Sequence, residues 1–320
     1  MATVLICRRL LPAGRDLLEQ AGCELREGGL EATREQLLEL ARGVDAIVAD
    51  PTVRVDAELL EAAGPGLKVV ANFAVGHDNV DLDACRQRGV AVTNTPGVLT
   101  NATAELALEL TLAAARGTSE AEANLRGGRW TGWDPGAYLG LELSGATFGV
   151  VGLGRIGRRY AELVRPLAGS GGEILYVANS PKPEAEAELG TRRVELDELL
   201  AVADVVSLHA PANTATRHLV SAPELKAMQS HAVLVNTARG TLVDPAALAG
   251  ALAAREIGAA GLDVYEDEPN VPPELIDAPR CVLLPHIGSA TRTARDGMAR
   301  LAAENALAAL RGDEPPNRVV

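Results

Sequence analysis

Short apolar runs recur along the chain, each followed by an Ala/Leu/Glu-rich stretch of helical spacing, and this alternation predicts an α/β architecture. Strands are expected at 3–6, 46–49, 67–71 and 91–93, with helices at 14–20, 56–63 and 82–88 between them, and Asp56 caps the second of these. Thr95-Pro96-Gly97 breaks the pattern and places a hinge near residue 98; a long helix over 101–116 follows, with Thr100 as its N-cap. After a Gly-rich excursion at 127–140, an apolar run starting at Thr147 passes through a glycine turn into a helical pattern at 158–167. Further strands are expected at 173–178, 205–208, 232–236, 258–262 and 282–284, then a helix over 290–311 and a Pro-containing tail. Strands separated by helices imply parallel sheets, hence doubly wound, Rossmann-like domains.

Length changes this picture by requiring more than one core, since 320 residues exceed the usual single domain and suggest two of about 100 to 190 residues each. A formal charge of −13 and a pI near 4.9 argue against nucleic acid or an anionic membrane surface as partner. Aromatic residues are only 2%, so stacking platforms for single strands are absent and the core must be Ala, Val and Leu. The scattered Cys7, Cys23, Cys85 and Cys281 form no metal, redox or disulfide framework, which makes reduced thiols in a cytoplasmic protein the expectation. The five histidines lack metal-ligand spacing, and the N-terminus shows no secretory pattern.

Candidate chemistry centres on Gly152-x-Gly154-x-x-Gly157. One glycine serves the tight turn, one the approach of backbone to a pyrophosphate, and one close helix–strand packing, while amides at the helix start, Arg155 and Ile156 among them, face the anion. The motif alone is compatible with an ordinary βα turn; its place between strand and helix favours a dinucleotide site. At the end of the next strand, where a carboxylate would read the ribose of NAD, the chain offers Asn179, Ser180 and Lys182, so NADP(H) should be preferred, with NAD(H) also usable. Ala210 and Pro211, Thr237, and Gly288 lie in later strand-end loops and complete the cofactor candidates. Val75 and Gly76, in the loop after the strand at 67–71, are substrate candidates, although the loop also reads as a plain turn. Arg239, Glu268 and His286 stand just past three successive strand ends. An Arg fork can hold a carboxylate and polarise its neighbouring carbonyl, His can move a proton, and a carboxylate can orient the His. Spacing leaves open that these are surface residues. Trp130 and Trp133, the only tryptophans, sit in the 127–140 excursion and suggest either an interface or local anchoring.

VVGLGRIG, NTARG, GLDVYEDEP and LPHIGSAT, in that order, resemble the D-isomer-specific 2-hydroxyacid dehydrogenase family nearly end to end. The resemblance implies Arg239, Glu268 and His286 as catalytic residues and hydride transfer from nicotinamide to a 2-oxo carbon. It further implies a discontinuous substrate domain, 1–98 and 287–320, a coenzyme domain, 99–286, a cleft between them, and a homodimer. VLTNATAEL, the WTGW loop and LRGDEPP are most similar to the family's glyoxylate/hydroxypyruvate reductases. By that match Val75 and Gly76 offer amides to the substrate carboxylate, Ser289 lies near the substrate, Trp133 reaches a neighbouring subunit's site, and Thr103 and Asp263 approach the nicotinamide. Phosphoglycerate dehydrogenase is the nearest enzymatic alternative, and a dinucleotide-sensing corepressor on the same fold is the alternative from another class. The stretch 168–172 departs from the family by being longer and richer in glycine, which should alter only a surface turn.

Overall fold

In a computed structural model that describes residues 1–320, the chain divides into two compact units, Met1–Leu99 with Ser289–Val320, and Thr100–Gly288. The first is built on five parallel strands, β1 (Thr3–Ile6), β2 (Glu24–Glu27), β3 (Ala46–Ala49), β4 (Val69–Asn72) and β5 (Ala91–Thr93), in the order β2-β1-β3-β4-β5. β1, β3 and β4 are buried along their whole length, as expected of strands covered on both faces. β2 went unrecognised in the sequence because its residues, Glu-Leu-Arg-Glu, form no apolar run; it is an edge strand, where charge guards against pairing with another chain. Asp56 caps the helix Ala57–Ala63, accepting a hydrogen bond from the Leu59 amide at 3.2 Å. The C-terminal helix, Arg292–Arg311, packs tightly on Pro12–Gln20: a Cβ on Gly14 would lie 2.2 Å from the Ala299 carbonyl oxygen.

The second unit holds seven parallel strands, β6 (Phe148–Val151), β7 (Ile174–Val177), β8 (Thr191–Arg193), β9 (Val205–Leu208), β10 (Val233–Asn236), β11 (Ala259–Leu262) and β12 (Cys281–Leu283), ordered β12-β11-β10-β9-β6-β7-β8. The order of strand addition reverses at β6, which pairs in parallel with β7 on one side and β9 on the other, so a ligand crevice is expected beyond the carboxyl ends of β6 and β9. The predicted strands are present, shifted by a residue or two at some ends. β8, Thr-Arg-Arg, was missed for the same reason as β2. Gly261 in β11 lets the helix Thr100–Ala115 approach, its absent Cβ lying 3.0 Å from that of Leu110. Thr100 is not the cap of that helix: the chain enters through a turn at 98–99, making Thr100 its first residue. Gly169 ends the helix Arg155–Ala168 with φ +59°, and 169–171 lie exposed. No helix is long and apolar enough to cross a membrane.

Candidate active site

The glycine turn leaves β6 at Gly152, whose φ of +99° and whose 2.7 Å separation between a would-be Cβ and the Ala210 nitrogen both exclude other residues. Gly157 is as constrained, since its Cβ would lie 2.0 Å from the Gly152 oxygen. Gly154, by contrast, has open space on its Cβ side and stands as N-cap of Arg155–Ala168 without any side-chain cap bond. The first amides of that helix, those of Arg155 and Ile156 included, therefore point at nothing within the chain and fit a pyrophosphate.

The β9 loop forms the other wall. The His209 amide donates to the Val151 carbonyl at 2.7 Å, joining the two strand ends. Part of His209 is accessible, but its Nδ1 is buried without a partner, and burial pushes the imidazole down to about 3, so the ring is neutral. Nε2 lies 2.9 Å from Ser207 Oγ, and the ring packs at 5.1 Å on Tyr160, whose hydroxyl bonds Thr111. This neutral support under the glycine turn was not visible in the sequence, where His209 had no assigned role. At the end of β7, Asn179 and Ser180 are exposed and Lys182 half-buried, its amide donating to the Tyr176 hydroxyl at 2.8 Å.

Past β10, β11 and β12 the chain is knitted into a single block. Asn236, buried at the end of β10, donates through Nδ2 to the Arg239 carbonyl (2.8 Å) and accepts from the Ala238 amide (3.0 Å), fixing the loop that carries Arg239. Gly240 is pressed on the next loop, with a hypothetical Cβ 1.9 Å from the Tyr265 carbonyl carbon. Glu268 accepts from the Tyr265 amide at 3.0 Å through one oxygen and faces His286 Nδ1 at 2.6 Å through the other. Burial acts to raise the Glu268 pKa, but the His286 hydrogen bond and charge, the Tyr265 amide and the Arg239 guanidinium prevail and hold it below the usual carboxylate value. Arg239, Glu268 and His286 are thus brought together: two in direct contact, the third acting on Glu268 through its charge.

Asp263 lies beneath them, 1% exposed, accepting from the Ile287 and Gly288 amides at 2.7 Å each. Burial raises its pKa against those two bonds. A Cβ on Gly288 would meet Asp263 Oδ2 at 3.1 Å and Thr103 Cγ2 at 3.4 Å, so Thr103, Asp263 and Gly288 form one cluster. In the loop directly after β10, the buried Thr237 hydroxyl has no partner within the chain. These features fit a dinucleotide laid along the strand ends.

In the first unit, Asn94 Nδ2 donates to the Val75 carbonyl and Asn72 Nδ2 to that of Gly76, each at 2.8 Å, while the Thr95 amide donates to the Ala74 carbonyl at 2.8 Å. A trans peptide points its N–H opposite its C=O, so holding the carbonyls of Ala74 and Val75 orients the amides of Val75 and Gly76, which donate to no group of the chain. Asn72 and Asn94 were missed because nothing in their spacing announces this. Ser289 follows Gly288 and is half-buried. In the Trp loop, Trp130 is 63% and Trp133 84% exposed, so neither indole is packed into the core of its unit.

The glycine turn at the switch point, together with the Arg, Glu and His beyond three neighbouring strands, defines a nicotinamide-dependent dehydrogenase architecture. The family model for the NAD binding domain of D-isomer-specific 2-hydroxyacid dehydrogenases matches residues 108–288, and this chain belongs to that family. A glyoxylate reductase of Thermococcus litoralis is 46% identical over 99% of this chain and 96% of its own length. Among solved structures, a protein from Thermus thermophilus matches with a TM-score of 0.91 at 45% identity, covering 99% of this chain and 100% of that one. An NADPH-dependent glyoxylate/hydroxypyruvate reductase of Sinorhizobium meliloti, in complex with NADP and malonate, matches with a TM-score of 0.85 at 34% identity, covering 100% and 97%.

Proposed function

We propose that this chain reduces glyoxylate and hydroxypyruvate to glycolate and D-glycerate, with NADPH used in preference to NADH. The observation that carries the reading is the 2.6 Å contact between His286 Nδ1 and Glu268, in a chain so similar to glyoxylate reductases throughout its length. With Nδ1 occupied, Nε2 is the nitrogen left to give a proton to the substrate oxygen. Arg239 holds the carboxylate and polarises the adjacent carbonyl, and the oriented amides of Val75 and Gly76 receive the carboxylate oxygens, with Ser289 beside them. Nicotinamide, when bound, supplies the hydride. Residues 99–286 serve the coenzyme, and 1–98 with 287–320 the substrate.

A panel of glyoxylate, hydroxypyruvate, pyruvate, 3-phosphohydroxypyruvate and phenylpyruvate, each with NADH and NADPH, tests the substrate. The highest kcat/KM is expected with the first two. Preference for the phosphorylated substrate would favour a phosphoglycerate dehydrogenase, and no turnover of any 2-oxo acid would favour a sensor. Against burial, His286, the Tyr265 amide and Arg239 hold the Glu268 carboxyl below its usual range, so its charge persists as pH falls and keeps the imidazole oriented; Glu268→Gln should therefore lower kcat/KM for glyoxylate and change its dependence on pH. An unmoved profile of kcat/KM against pH would remove that role.

The exposed indole of Trp133 supports a homodimer in which it enters the partner's site. Sedimentation should then give a dimer, and Trp133→Ala should raise KM for glyoxylate; a monomeric enzyme of full activity contradicts both. The four free thiols suit the reducing cytoplasm.

A further inference from the structure

An exposed arginine on the edge strand β8 stands beside the strand end that meets the adenosine ribose. β7 and β8 run parallel with Tyr176 opposite Arg193, so both carboxyl ends open on the same side. Arg193 Nε donates to the Ala178 carbonyl at 3.0 Å, directly before Asn179, and neither Nη nitrogen is bonded within the chain. Its neighbour Arg192 is already paired with Glu173 and Glu198, whereas Arg193 has no carboxylate within ion-pairing distance. The acidic residues of the helix Pro183–Leu189 are likewise engaged: Glu184 and Glu188 pair with Arg158, and Glu186 accepts from the Tyr176 hydroxyl. What remains around Asn179 and Ser180 is a guanidinium held by one nitrogen with two others presented.

We infer that Arg193 is a specificity-determining residue for the coenzyme, its two Nη groups forking onto the 2′-phosphate of NADPH while Asn179, Ser180 and Lys182 close the other side. The inference rests on the NADPH reading above and supplies the arginine fork that the loop 179–183 itself lacks. A guanidinium anchored through Nε is pre-ordered for two parallel N–H···O bonds, which is the geometry a phosphate accepts best.

Calorimetric binding of adenosine 2′,5′-bisphosphate and adenosine 5′-monophosphate to wild type and Arg193→Ala tests it without turnover. Wild type should bind the bisphosphate more tightly than the monophosphate. Arg193→Ala should lose about 10-fold in bisphosphate affinity and leave monophosphate affinity within about twofold, which also reports that the site is folded. A variant that keeps the wild-type preference would overturn the role of Arg193 while leaving the NADPH reading intact. A wild type with no preference between the two nucleotides would overturn both.

Discussion

Replacing His286 by Ala is expected to lower kcat for glyoxylate reduction by about 10²–10⁴ with little change in coenzyme affinity. The expectation follows from how the ring is held. Its Nδ1 is 2.6 Å from Glu268, whose second oxygen is itself tied to the Tyr265 amide, so the imidazole has one orientation and one nitrogen to offer. Removing the ring leaves only water to protonate the developing alkoxide. The proposed pyrophosphate and ribose contacts, at the glycine turn and the β7 end, are on other strands of the same sheet and should be little affected. His286 also has φ +53°, a conformation that alanine tolerates poorly and asparagine well. His286→Asn therefore accompanies His286→Ala and separates loss of the acid from strain in the loop. Steady-state kcat, with coenzyme affinity from fluorescence titration, reads the result; undiminished kcat in both variants would exclude His286 as the acid.

The parts of this molecule that were legible in the sequence are those in which a local pattern and a physical requirement coincide. β3 announces itself as four apolar residues because it is buried on both faces, and the glycines at 152 and 157 because backbone occupies the place of their Cβ atoms. β2 and β8 were illegible because edge strands need charge more than apolar surface. The pairing of Glu268 with His286 was suggested by their places past successive strand ends and strengthened by family resemblance; spacing alone left it open, because they stand 18 positions apart with a strand between them. The supporting residues were hidden more deeply. Asn72 acts through its side chain on a carbonyl four residues further along the chain, Asn94 on a carbonyl of another loop, His209 through burial beneath a turn, and Arg193 through its position one strand away from the loop it joins. Apart from the local bond of Asn72, each is a relation between distant segments that only the folded chain creates.

Arg239→Lys should lower kcat/KM for glyoxylate by about 10²–10³, although the charge is conserved. The loop around Arg239 is fixed on both sides. Asn236 holds the carbonyl of Arg239 and the amide of Ala238, Arg239 Nη1 donates to the Ala238 carbonyl at 2.8 Å, and Gly240 rests on the backbone of Tyr265. A guanidinium anchored in this way presents a planar edge, which can bond a carboxylate oxygen and the neighbouring carbonyl oxygen at once. An ammonium on a flexible stem is a point charge: it can satisfy the carboxylate or polarise the carbonyl, but it does not hold both in one plane. The loss should therefore appear in both constants. KM rises because the carboxylate is gripped less well, and kcat falls because the carbonyl is less polarised when hydride arrives. Charge alone is the rival explanation, since Arg239 also helps to hold the Glu268 pKa low, and a lysine would preserve much of that effect. Comparing Arg239→Lys with Arg239→Ala separates the two: if charge were sufficient, the lysine enzyme would approach wild type, whereas a requirement for the fork places it close to the alanine enzyme. A lysine variant with wild-type kcat/KM would show that the substrate is anchored by another group.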